Sequence, residues 1–238
     1  MDFVIKSVGD NAIIVQFEEI VSPKLNAKIK AFCRELENAL QEYLMELVPG
    51  FDSVTIYYQI NRITYQEICE RVSRVASTIQ PDLRVSSKLV HIPVLYGDEY
   101  GPDLDRVATF NQLSIEDVIA IHRNNDYLVY MLGFLPGFPY LGGMDRKIAT
   151  PRLDQPRQSV FAGAVGIAHE QTGIYPMGSP GGWNIIGKTP LTLFDQVNQE
   201  FLLQAGSYVR FYEVSQEAFA EIEKEVAAGT FDVKISEK

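Results

Sequence analysis

The sequence predicts an α+β chain in two parts: a small N-terminal α/β layer domain over residues 1–87, then a β-rich barrel or sandwich over 88–238. Three observations predict it. Strand and helix signals alternate through the first ninety residues, the order expected of helices packed on one side of a sheet. Between 130 and 212 there is no helical pattern, only short β-rich pieces separated by Gly/Pro turns. The change of texture falls near 85–90 with no repeat, low-complexity tract or tether around it.

The elements follow in order. "NAIIVQF" (11–17) has the apolar run of a buried strand. Ser22-Pro23 opens a helix, with Ser as N-cap and Pro at the first helical position. Leu25, Ile29, Phe32, Leu36, Leu40, Leu44 and Leu47 continue it as one stripe at steps of three and four, ending at Pro49-Gly50. "SVTIYYQI" (53–60) is β-branched and aromatic, hence a strand. Thr64 and Glu67 form a capping box for a second helix, whose inner face is Ile68, Val72, Val75 and Ile79. "KLVHIPVLY" (88–96) is extended. Asp103 caps a short helix through Phe110, and Ser114 with Asp117 caps another through about Arg123. "SVFAGAVGIA", "PLTLF" and "FLLQAGSYVRFYEV" supply strands, and Ser215 caps a last helix that stops at Gly229.

Composition narrows the function classes. The 238 residues carry a formal net charge of −10, the wrong sign for displacing counterions from nucleic acid or for an anionic membrane surface. No stretch approaches the roughly 20 apolar residues of a membrane span, and the start lacks a signal-peptide pattern, so a cytoplasmic protein is expected. Cys33 and Cys69 read as buried free thiols. His91, His122 and His169 are scattered without ligand spacing, so no metal is implied; His91 suits a strand and His122 a helix end.

Three rigid loops could carry chemistry: 133–143 ("GFLPGFPYLGG"), 150–157 ("TPRLDQPR") and 168–190. Glycine permits close backbone approach and proline stiffens the path, so such loops either line a pocket or make tight barrel turns whose aromatics plug the core. Arg152 and Arg157, beside prolines, suit carboxylate or phosphate recognition, or an ion pair with Asp145 or Asp154. Gly182–Thr189 matches GxxxxGK[ST] letter for letter, yet Pro190 and a strand follow where a phosphate loop needs a helix; Lys188 could meet an anion only by another geometry.

"YMLGFLPGFPYLGGMD", "TPR…PR", "AGAVGIA…QTGIYP", "SPGGWNIIGKTP" and "LFD", in this order and spacing, resemble the family of the 5-oxoprolinase B subunit. That family also takes in the sporulation histidine-kinase inhibitor KipI and part of the allophanate hydrolase/urea carboxylase carboxyltransferase region. The resemblance is strongest over 126–212, and "GDNAIIVQF" and "YGDEYGPDL" extend it. It implies that the second domain is a cyclophilin-like β-barrel. It further implies one component, inactive alone, of a heteromeric ATP-dependent hydrolase that opens 5-oxoproline to glutamate together with its A subunit and a KipA-like C subunit. ATP would be shared with, or held mainly by, a partner. The alternatives are a KipI-type inhibitor of a histidine kinase, and a urea or allophanate carboxyltransferase component.

On the enzyme reading the substrate- or partner-binding residues are Tyr130, Gly133, Phe134, Pro136, Gly137 and Tyr140 around the first loop. Arg152, Arg157, Gln171 and Tyr175 follow, then Trp183, Asn184 and Lys188. Phe134, Phe138 and Tyr140 are expected to anchor the first loop, and no residue is assigned a catalytic role. Phe161, His169 and Ser207 depart from the family pattern; His169 replaces a glycine, which predicts strain wherever that glycine had positive φ.

Overall fold

The structure, a computed structural model, describes residues 2–79 and 87–238. The chain divides into two units, residues 1–85 and 86–238. In the first unit, β1 (Phe3–Val8), β2 (Ala12–Phe17), β3 (Leu44–Pro49) and β4 (Ser53–Tyr58) form an antiparallel sheet in the order β1-β2-β4-β3. Helix α1 (Pro23–Leu40) starts where Ser22 accepts from the Leu25 amide, and α2 (Tyr65–Thr78) has the full Thr64–Glu67 capping box. Ile13, Val15, Val54 and Ile56 from the sheet and Leu25, Ile29, Phe32, Ile68 and Val72 from the helices share one core.

The helical stripe read through Leu47 stops at Leu40. Leu44 and Leu47 lie on β3, where Leu44 pairs with Tyr58 and Leu47 with Ile56. Leucines spaced by three and four fit either period over so short a stretch, and a free edge on β4 decides the matter. Strand β1, which no strong pattern announced, is the other edge and keeps only Phe3 and Ile5 partly buried. Cys33 and Cys69 are free and half-buried; burial pushes the Cys33 thiol up to about 12.

The second unit is a closed barrel with helices. Its strands are β5 (Lys88–Tyr96), β6 (Tyr127–Leu132), β7 (Pro139–Gly142), β8 (Arg157–Val160), β9 (Ala164–Ala168) and β10 (Gln171–Ile174). They continue with β11 (Ser179–Gly181), β12 (Asn184–Lys188), β13 (Phe194–Asp195), β14 (Glu200–Phe201), β15 (Tyr208–Glu213) and β16 (Ile235–Glu237). Seven strands run β12-β9-β10-β7-β6-β15-β5, and pairing of Gly187 with Tyr96 and Lys188 with Leu95 closes the ring. β16 takes the other end of the same β5 edge, while β8–β11 and β13–β14 are separate pairs. Helices α3 (Leu104–Asn111), α4 (Ile115–Arg123) and α5 (Gln216–Ala228) complete the unit, the last ending at Gly229 with φ 69. Two expectations change here. The stretch 168–190, read as a loop, holds β10, β11 and β12; and of "PLTLF" only Phe194 enters a strand, although Leu191 and Leu193 are buried. Among the described residues no helix is long and apolar enough to cross a membrane.

His122, on the last turn of α4, is fully buried rather than a surface dipole partner. The Thr172 hydroxyl donates to the Gly166 carbonyl (3.0 Å), so it accepts from His122 Nε2–H (2.9 Å), which leaves Nδ1 to accept from Tyr96 (2.8 Å). Its ring stacks on Phe211 at 4.6 Å. Burial lowers its pKa to about 3. The folded state therefore binds fewer protons than the unfolded chain between pH ~6.5 and ~3, and stability falls as pH falls through that window. We expect a loss of about 1 kcal/mol per pH unit from this group, with a shallower slope in His122→Gln; urea titrations at pH 7, 6, 5 and 4 measure it. Equal slopes in the two proteins would place the acid sensitivity elsewhere.

Candidate functional site

The 133–143 stretch begins with two interlocked turns. The Leu135 amide donates to the Gly133 carbonyl (2.8 Å) across Phe134, a γ-turn with φ 68 at its centre, the strained form for a residue with a side chain. The Phe138 amide donates to the Leu135 carbonyl (3.0 Å), with Pro136 and then Gly137 at φ 82 between them, as a type II turn requires. The Gly133 amide closes the loop on the Phe138 carbonyl (3.1 Å). A Cβ on Gly137 would lie 3.0 Å from Phe194 Cβ, so the loop rests on the β13–β14 hairpin.

Phe138 is the hub. Its ring meets Tyr140 at 5.1 Å, Tyr175 at 5.2 Å, Trp183 at 5.5 Å and Phe134 at 5.7 Å, all edge-on. Phe138, Tyr175 and Trp183 are buried in a cluster with Val160, Ala164 and Ile185, and Tyr140 packs on it. These rings form a packed floor. Phe134 does not anchor the loop as expected. It meets the cluster only at the edge of Phe138 and is 64% exposed, and Pro136 is exposed as well, whereas Phe138 is buried and Tyr140 half-buried.

The proline-stiffened strap 151–157 crosses this floor. The Leu153 amide donates to the Gly182 carbonyl (2.8 Å), and Arg157 is paired with Gly181 in the β8–β11 ladder. Arg152 is exposed, with its guanidinium carbon 6.0 Å from the Trp183 ring centre. Arg157 bonds through Nη2 to Asp103 Oδ1 (2.7 Å), not to Asp145 or Asp154. The other Asp103 oxygen accepts from the Ile185 amide (2.6 Å), so this carboxylate ties the strap to β12 and does not cap α3. Three residues on, Arg106 Nε donates to Asn184 Oδ1 (2.8 Å), whose amide nitrogen donates to the Pro151 and Ile167 carbonyls (2.9 and 3.0 Å). Asn184 is thus fully committed to the frame. The sequence marks Asp103 only as a cap and does not single out Arg106; their three-residue spacing at the start of α3, where both reach β12, was the available signal.

The remaining predicted residues scatter. Tyr130 is buried on β6 with its ring against Gly142. Gln171 is half-buried, opposite Ala168 in the ladder. Lys188 is drawn off to α5: its ammonium sits 4.9 Å from the Tyr100 ring, 5.3 Å from Phe219 and 3.4 Å from Glu223. It belongs to a strand, not to a phosphate loop. A concavity of about 500 Å³ in the first unit, beside Glu37, Gln41 and Met45, and one of about 430 Å³ in the second, beside Arg123 and Tyr212, are lined by none of the residues of the aromatic cluster. Burial raises the Tyr175 hydroxyl's pKa, partly offset by a hydrogen bond with the Trp183 backbone and by the Arg152 and Arg157 charges.

The departures from the family pattern have structural correlates. His169 has φ 52 in the two-residue His169-Glu170 turn between β9 and β10, where positive φ at the first residue suits glycine. We expect His169→Gly to raise stability by about 0.5–1 kcal/mol in thermal melts, and an unchanged or lower melting temperature contradicts the strain reading. Phe161 packs on the aromatic cluster and edge-on to Tyr100 (5.9 Å). Ser207 donates to the Gln204 carbonyl (2.6 Å) in the turn before β15.

Comparison places these features among known proteins. The family model described as carboxyltransferase domain, subdomain C and D, matches residues 3–203. The 5-oxoprolinase B subunit of Bacillus subtilis (strain 168) is 42% identical over 226 residues, 90% of this chain and 94% of that protein. The crystal structure of TTHA0988 superposes with a TM-score of 0.74 at 35% identity; it covers 86% of this chain, which spans only 40% of that one. The Kluyveromyces lactis urea amidolyase is alike in fold, with a TM-score of 0.86 at 22% identity over 99% of this chain and 16% of its own. The same module therefore occurs both by itself and as a segment of longer chains.

Proposed function

The chain belongs to the carboxyltransferase subdomain C and D family that includes the 5-oxoprolinase B subunit, and on that footing we propose that it is one component of an ATP-dependent 5-oxoprolinase. With the A and C subunits it opens 5-oxo-L-proline to L-glutamate, and it is inactive alone. The observation that carries the reading is the 42% identity to a free-standing B subunit over nearly the whole of both chains.

The chemistry suits the site. A lactam carbonyl is a poor electrophile, and phosphorylation of its oxygen activates it for ring opening by water. That step needs fixed donors and little water. On this reading the cyclophilin-like barrel supplies the rigid turns at 133–138 and the arginine strap, while ATP and its metal are held mainly by a partner. The strand geometry of Asn184–Lys188 supports that division, since a segment paired with β9 and β5 is not a loop free to cradle phosphate. Mixing the purified chain with the A and C subunits tests it. Glutamate release that requires ATP and all three proteins is expected, and full activity without this chain refutes the proposal.

A second reading has one observation in its favour. Phe134, exposed on a strained turn, suits docking of a KipI-type inhibitor against a histidine kinase. Autophosphorylation of the kinase, unchanged by an excess of this chain, would eliminate it.

A further inference from the structure

We propose that Arg152 and Arg157 form a monocarboxylate site above Trp183 and Tyr175, and that Arg152 selects the carboxylate-bearing lactam. The substrate named here rests on the 5-oxoprolinase reading; the site itself rests on the geometry.

The two strap arginines differ in their partners. Arg157 is neutralised by Asp103, whereas Arg152 has no acidic partner among the described residues. A cation without a carboxylate partner, on a chain of formal charge −10, is a local attraction for an anion. Arg157 also keeps Nη1 buried and, among the described residues, without a hydrogen-bond partner, an arrangement that costs stability. The two arginines flank one floor. Arg152 lies over Trp183, and Gly181, paired with Arg157, sits so close to the Tyr175 hydroxyl that no side chain could stand between them. The strap cannot drift, because the Leu153 amide is tied to Gly182 and Pro156 packs near it.

The chemistry favours carboxylate over phosphate. Planar guanidinium groups match a carboxylate's two oxygens. A phosphate dianion calls for more charge and for free backbone amides or a helix start, and the adjoining β12 amides are held in the barrel. The pair of arginines also explains selectivity: a buried or half-buried donor left unpaired penalises a lactam that lacks the acid group.

Trp183 is the chain's single tryptophan and lies beneath Arg152, so its fluorescence reports occupancy. The full chain is titrated with 5-oxo-L-proline, with pyrrolidinone (the same lactam without the carboxylate) and with inorganic phosphate. We expect a saturable change with 5-oxo-L-proline alone, weakened about tenfold to hundredfold in Arg152→Gln and unaltered in Arg146→Gln, an arginine paired with Glu170 outside the strap. Equal response to pyrrolidinone, tighter binding of phosphate, no response to any ligand, or no effect of Arg152→Gln would each overturn the site. The assembled enzyme separates the two proposals. If it turns over 5-oxo-L-proline and Arg152→Gln lowers kcat/KM equally for both lactams, the site fails and the function stands. If it is inactive while 5-oxo-L-proline still perturbs Trp183 through Arg152, the function fails and the site stands.

Discussion

Replacing Asp103 by alanine is expected to destabilise the second unit by about 2–3 kcal/mol, the cost of leaving a buried amide without its acceptor plus a screened share of a half-buried ion pair. The magnitude follows from what the carboxylate holds. Its side chain is 8% exposed, and its two oxygens serve Arg157 at 2.7 Å and the Ile185 amide at 2.6 Å. Without it a partly buried guanidinium keeps its charge with no counter-ion, and a strand amide inside the barrel loses its acceptor. Asp103→Asn, which keeps one acceptor, should lose less. The double variant Asp103→Ala/Arg157→Met should also lose less than Asp103→Ala alone, because the stranded charge is gone. Urea unfolding followed through Trp183 reads all three, together with Arg157→Met, the second single change of the cycle. A double variant as unstable as the sum of its single changes would show that the two side chains do not act as a pair.

Gly137→Val is expected to lower turnover of the assembled enzyme about a hundredfold, the size of effect that follows a displacement of roughly 1 Å in a positioned site. Valine at φ 82 is strained, and its Cβ would press on Phe194, so the turn and the β13–β14 hairpin must part. The accompanying stability loss should be only about 1–2 kcal/mol, since the turn lies at the rim of the barrel. Circular dichroism establishes that the fold persists, and glutamate release measures activity. Full turnover with the folded variant would reduce this stretch to a connection between strands.

What was legible in the sequence was whatever short-range chemistry decides. Ser22-Pro23, Thr64 with Glu67, Ser114 with Asp117, and Ser215 through Gly229 mark helix ends within a few residues, and all four form as read. The β-rich character of the second half was legible too, from its Gly/Pro punctuation. Individual strands there were not. β12 is rich in signals read as loop, and it becomes a strand because β9 and β5 present edges on either side of it. Asp103 shows the same limit at the candidate site. A local rule makes it a cap, while its partners stand 54 and 82 residues away. The aromatic anchors were identified as a group, but which ring stays outside depended on Phe134 taking positive φ, which nothing in its residue type announces.

Residues 133–143 combine glycine and proline, which oppose regular structure, with rings that seek burial, and the geometry uses both. Glycine and proline make two consecutive tight turns, and those turns let one phenylalanine, Phe138, reach the cluster where Tyr140, Tyr175 and Trp183 meet. A floor of buried rings then carries a charged strap at a fixed height. Neither part serves without the other, since an exposed arginine on a mobile chain would bind an anion in many poses.

The most direct measurement is the rate of ATP-dependent glutamate formation from 5-oxo-L-proline as this chain is titrated into fixed amounts of the A and C subunits. No rate is expected at zero chain, then a rise that levels off near equimolar KipA-like partner, and no rate from the chain by itself. A rate already at its maximum before any chain is added, or one that never rises, would contradict a role for this chain in the enzyme.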